Sequence, residues 1–116
     1  MRIAKRPKPP VGSHQWLDRV NLEMCCAIAR KVRRKPALMR VPKANLRRWR
    51  RKRGYVAPAH REWEVILKQN PLERVLEILT QDNEEGQRLR QSDPFVGILT
   101  AKERMAYLRF DEKGAA

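Results

Sequence analysis

The chain has 116 residues, with 27 Lys and Arg against 13 Asp and Glu, a formal net charge of +14 and a hydrophobic share of 41%. That length supports one domain with one modest core, and no apolar run approaches the ~18 residues of a membrane span, which excludes an integral membrane protein. So large a positive excess favours polyanions or acidic protein faces as partners.

Residues 1–12, MRIAKRPKPPVG, hold three prolines, a glycine and four basic residues with little apolar content. This composition predicts a disordered basic arm. No apolar stretch follows it, so no secretory signal is expected. Ser13 offers a helix N-cap. From His14 to about Arg34 the apolar residues Leu17, Val20, Met24, Ile28 and Val32 recur three or four apart, which predicts a helix. Its basic end, Arg30 to Lys35, suits the negative end of the helix dipole.

Pro36 suits the first turn of a second helix, with Leu38, Val41, Asn45 and Trp49 on one side. Pro42 is tolerated if that helix begins near it and otherwise kinks it. Gly54 should end the segment. Pro58 opens a third helix with Ala59, Trp63, Ile66 and Leu67 on one face, and Asn70-Pro71 breaks it. Leu72, Val75, Leu76 and Leu79 mark a short fourth helix. Asn83 can cap a fifth, with Glu84 and Glu85 in its first turn, and Ser92-Asp93-Pro94 stops it. Thr100 and Glu103 have capping-box spacing and start a last helix with Met105, Tyr107, Leu108 and Phe110 on its apolar side. Only Phe95–Leu99 alternates with period two, and it is short. The reading is an all-α fold, a compact bundle of five or six mostly short helices packed around Trp16 or Leu17, Trp63 and the Leu72–Leu79 stripe. The organisation expected is a basic arm over 1–12, a single helical domain over 13–112 and a frayed tail over 113–116.

The cysteines, Cys25 and Cys26, are adjacent. Neighbours on a helix point about 100° apart, so a bridge between them would be strained. They read as small buried apolar residues in a reducing, cytoplasmic setting. His14 and His60 belong to no cluster with ligand spacing, and no metal or cofactor is expected. There is no Gly-rich phosphate loop, no HExxH and no nucleophile beside a histidine in a recognisable setting, so no catalytic residue is assigned and a non-enzymatic role is expected.

Charge is unevenly spread. Residues 1–56 carry 18 of the 27 basic residues and two acids, Asp18 and Glu23, a formal +16, whereas residues 57–116 are at −2. The densest stretch is Leu46-Arg47-Arg48-Trp49-Arg50-Arg51-Lys52-Arg53. Six cations in two helical turns repel one another unless an anion is bound, and arginine forks suit phosphates. Arg47, Arg48, Arg50, Arg51, Lys52 and Arg53 are therefore candidate polyanion contacts. Arg2, Lys5, Arg6 and Lys8 of the arm join them as residues able to track a nucleic-acid groove. The opposing reading makes Trp49 core and the cations solvated, or paired with Glu62, Glu64, Glu84 and Glu85. Pro71–Ser92 can be drawn as a helix-turn-helix, but a second helix opening on Glu84-Glu85 would repel phosphate, so a plain helix hairpin is preferred.

The block from Glu84 to Arg104 contains Arg88-Leu89-Arg90-Gln91-Ser92, then Pro94-Phe95, Gly97, Leu99 and Glu103-Arg104. It resembles the RLRQSxPFxGxLxxxER signature of small helical bacterial proteins in which an LRRW segment and a Trp-containing helix come first. Here those pieces correspond to Asn45–Trp49 and Arg61–Ile66, and the likeness spans roughly 14–110. The chain departs from the pattern in its basic arm and Pro42. The resemblance implies an antitoxin-type protein, a binding partner that neutralises a cognate toxin-like protein. On the residues themselves, Arg88, Arg90 and Phe95 are a candidate partner-docking edge. The alternative is a structural turn in which Phe95 fills the core and Gly97 adopts a positive φ. A nucleic-acid-binding module built on the arm and Arg47–Arg53 is the second functional expectation.

Overall fold

In a computed structural model of the chain, residues 9–115 are described, with side chains through Arg109. A turn leads into the first helix: the Ser13 amide donates to the Pro10 carbonyl at 3.0 Å, and Gly12 takes φ +86°. Pro10 to Ser13 thus form a turn, and residues 1–8 of the expected arm lie outside the described residues. Ser13 then caps α1 (His14–Arg34), its Oγ accepting from the Trp16 amide at 3.2 Å. The buried side of α1 runs through Trp16, Val20, Cys25, Ala27, Ile28, Ala29 and Val32. Leu17 does not belong to it and is 46% exposed. Trp16 lies one helical turn before Val20 on the same face and buries the larger surface.

The second helical segment is split. Pro36–Met39 forms a 3-10 turn, and α2 (Arg40–Arg53) follows it directly. Pro42 is buried in the first turn of α2, where a missing N–H costs no intrahelical bond. Gly54 closes α2 at φ +78°, its amide donating to the Arg50 carbonyl at 2.9 Å. That conformation favours glycine.

Pro58 opens α3 (Pro58–Gln69), and Asn70-Pro71 separates it from α4 (Leu72–Leu79). Asn83 caps α5 (Glu84–Arg90), its Oδ1 accepting from the Gly86 amide at 2.7 Å. Thr100 and Glu103 form a reciprocal capping box at 3.0 and 3.1 Å, which begins α6 (Ala101–Ala115). Helix α6 runs to Ala115. The described residues contain six α-helices and no strand, and the Phe95–Leu99 stretch is a turn.

Helix α1 is the hub, packing against α4, α5, α6 and the 3-10 turn. Trp63 is 0% exposed, donates from Nε1 to the Leu89 carbonyl at 2.9 Å and meets the Phe95 ring edge-on at 5.8 Å. Val75, Leu76 and Leu79 complete this centre. Cys25 is buried and Cys26 half-buried, and both are free thiols. Burial pushes the Cys25 thiol well above the ordinary range, with Asp93 adding to the effect. Burial and a raised pKa both disfavour the reactive thiolate there.

The segment between α5 and α6 is pinned from two sides. Asn45, buried in α2, donates from Nδ2 to the carbonyls of Pro94 and Val96 at 2.7 and 2.8 Å. Asp93 Oδ1 accepts from the Phe95 amide at 2.9 Å. Gly97 sits at φ +101°, the conformation a tight turn needs at that position. At the α1 end, Lys31 donates to the Ile98 carbonyl at 3.1 Å and pairs with Glu103 at 2.6 Å.

Two carboxyls in this region titrate in opposite directions. Burial pushes Asp93 up to about 6, partly offset by the Phe95 amide and by Arg104 and Arg90. Bonds from Lys31 and the Thr100 amide hold Glu103 down at about 2. A raised folded pKa favours the protonated fold, so the Asp93 contribution to stability grows as pH falls through 6 toward 3.8, by about 2–3 kcal/mol. The Glu103 contribution is present above pH 4.5 and is lost as pH falls toward 2. Urea midpoints measured across pH should therefore rise from pH 7 to about 5 and fall below about 4. Asp93→Asn, which keeps an acceptor for the Phe95 amide, should remove the rise and leave the acid loss. A rise that survives in Asp93→Asn would assign it to another group.

Candidate polyanion-binding face

The last two turns of α2 distribute their side chains by the 3.6-residue period. Trp49, Lys52 and Arg53 share one side, whereas Arg47, Arg50 and Arg51 share another. Four basic residues in the final turn lie at the negative end of the helix dipole, which favours cations there. This offsets part of their mutual repulsion and lets the helix hold its charge.

Two of the six cations are engaged within the fold. Arg48 donates to Asn45 Oδ1 at 2.6 Å, which orients the amide that pins the Pro94–Val96 turn. Arg50 forms a two-oxygen contact with Glu64 of α3 at 3.1 and 3.2 Å. Of the acids weighed as internal partners, Glu64 alone reaches the stretch. Glu62 and Glu85 are taken by Arg88. Arg47, Arg51, Lys52 and Arg53 are exposed and make no hydrogen bond or ion pair among the described residues. Neutralisation by the chain's own acids thus covers only a fraction of this face.

Trp49 is half-buried at the rim of the core, so the reading of it as core holds only in part. Its ring lies 4.7 Å from that of His60, tilted by 31°. Trp49, Lys52, Arg53 and His60 line a cleft of about 520 Å³ at the α2–α3 corner. Partial burial and the neighbouring Arg53 lower the His60 pKa, and Glu64 opposes them. The direction of the shift favours the uncharged imidazole. Tyr55, just past the capping Gly54, is 62% exposed. Neither His60 nor Tyr55 stood out in the sequence. The usable signal was the Gly54 stop followed by Pro58, since a reversal there returns the first turn of α3 alongside the last turn of α2.

The expected docking edge does not form. Arg90 is buried at 5% exposure, its Nη1 donating to the Leu79 and Gln81 carbonyls at 3.0 and 2.6 Å. It closes the C-terminal end of α4 and the turn after it. Phe95 is 0% exposed and packs against Trp63. Only Arg88 is at the surface, and it is held between Glu62 at 2.9 Å and Glu85 at 2.5 Å. The arm candidates Arg2, Lys5, Arg6 and Lys8 lie outside the described residues.

No group of three His, Cys, Asp or Glu able to hold a metal occurs among the described residues, and none of the described helices is long and apolar enough to cross a membrane. The chain matches no family model, no curated protein and no solved structure.

Proposed function

We propose that the protein works by attachment rather than catalysis, and that its attachment face is the basic end of α2, which binds the phosphates of a nucleic acid. The observation that carries this reading is the set of four exposed cations, Arg47, Arg51, Lys52 and Arg53, without internal ion-pair partners among the described residues. Each phosphate neutralised releases a condensed counterion, so affinity should fall steeply with salt. With about four contacts, binding to a labelled oligonucleotide should weaken roughly 50- to 150-fold between 50 and 200 mM salt. Changing Arg47, Arg51, Lys52 and Arg53 together to Gln should flatten that slope and abolish binding at the higher salt. Circular dichroism should stay unchanged, because glutamine is a good helix former. Full affinity in this variant would refute the reading.

The antitoxin-type role implied by the resemblance is the second reading. Its support is an apolar cleft of about 770 Å³ between α1 and α6, lined by Leu22, Cys26, Ala106 and Tyr107 with Glu23, Arg30 and Glu103 at its edges. A complex with a toxin-like protein seated there should persist in salt that strips nucleic acid, since apolar burial is not screened. Loss of such a complex on Leu22→Asp, with nucleic-acid binding intact, would separate the two faces.

A further inference from the structure

We infer that the α2–α3 corner takes an unpaired nucleotide, so that the preferred ligand is single-stranded nucleic acid rather than duplex. This rests on the phosphate-binding reading above and adds the substrate class. Phosphate recognition alone would need only the cations. Here the cations border an aromatic wall: Lys52 and Arg53 follow Trp49 at three and four residues, and the His60 ring stands 4.7 Å from the indole. The cleft of about 520 Å³ falls within the range of small-ligand sites, which is enough for one nucleotide. Its chemistry is divided in the way a nucleotide is divided. The aromatic side offers π surface to a base, and the ammonium and guanidinium groups offer charge to the adjoining phosphate. The His60 imidazole adds ring surface to the same cleft. Exposed Tyr55 supplies a further aromatic surface at the same end of α2. In a duplex the base faces are stacked inside the helix and cannot reach such a wall, whereas single strands, loops and ends present them.

The test uses the full chain and three probes: a deoxythymidine dodecamer, a mixed-sequence duplex of the same length, and inorganic polyphosphate. Trp63 is 0% and Trp16 4% exposed, so quenching by a stacked base reports on Trp49. The expected result is tighter binding of the single strand than of the duplex, with fluorescence quenching by the single strand only. Trp49→Leu should weaken the single strand roughly 5- to 150-fold, the value of one stacked base, and leave polyphosphate binding unchanged. Trp49→Phe should retain most of the affinity. His60→Ala, which leaves the core untouched, should weaken the single strand selectively and keeps the test decisive if Trp49→Leu misfolds. Equal binding of duplex and single strand, with Trp49 and His60 variants indifferent, overturns this inference while leaving phosphate binding in place. Failure to bind any of the three probes overturns both.

Discussion

Replacing Phe95 with alanine should lower the free energy of unfolding by about 3–5 kcal/mol. The ring is fully enclosed and meets Trp63 edge-on at 5.8 Å. A cavity left there cannot readily collapse, because the flanking backbone is tied down. Asn45 holds the carbonyls of Pro94 and Val96, and Asp93 holds the Phe95 amide. The large end of the range for buried aromatic truncations therefore applies. For a domain of this size whose total stability is about 5–15 kcal/mol, such a loss removes a large part of the fold's margin. Urea denaturation should show a lower midpoint with an unchanged slope, and the melting temperature should drop by about 10–20 °C. Phe95→Leu, which leaves a smaller void, should cost less than half as much. Normal stability in Phe95→Ala together with a lost binding partner would place the ring on a working surface instead.

Gly86→Ala should destabilise by about 2–3 kcal/mol, with a sign opposite to that of an ordinary helical position. Alanine is about 1 kcal/mol better than glycine inside a helix, so an exposed Gly86 would gain from the change. Gly86 is buried, and a Cβ built there lies 2.1 Å from the Gln81 carbonyl oxygen and 2.7 Å from Gln81 Cβ. The obstacle is backbone and cannot rotate away. The same carbonyl accepts from Arg90 at 2.6 Å, so moving it also loosens a buried guanidinium. A midpoint shift in the double variant Gly86→Ala, Arg90→Met smaller than the sum of the two single shifts would show this coupling. A stabilised Gly86→Ala protein would show that α5 slides away from the Gln81 turn without penalty.

Much of the helical framework was legible because helix ends are written in local chemistry. Ser13, Gly54, Pro58, Asn70-Pro71, Asn83 and the Thr100–Glu103 box act over at most four residues, and each appears where its side chain or φ preference places it. The exposed charge of Arg47, Arg51, Lys52 and Arg53 was legible for a similar reason: too few acids lie near α2 to cancel it. The docking edge was misplaced because exposure is not a local property. Arg90 alternates with Leu89 in a polar stretch, yet it is drawn inside by carbonyls of Leu79 and Gln81, eleven and nine residues back along the chain. Leu17 and Trp16 offered equally good helical spacing, and only packing of the neighbouring elements chose between them.

By itself, the order of residues determined an all-helical chain, its breakpoints, and a basic front half that its own acids cannot neutralise. These follow from hydrogen-bond geometry, backbone sterics and charge balance, which act over a few residues or over the whole composition. The tertiary structure alone decided that Phe95 and Arg90 face inward, that Glu64 reaches Arg50, and that Trp49 meets His60 beside Lys52 and Arg53. Those outcomes depend on how α2 and α3 meet across the Gly54–Ala57 reversal and on which carbonyls the α4–α5 turn leaves unpaired. Distances between elements carry that information, and side-chain periodicity does not.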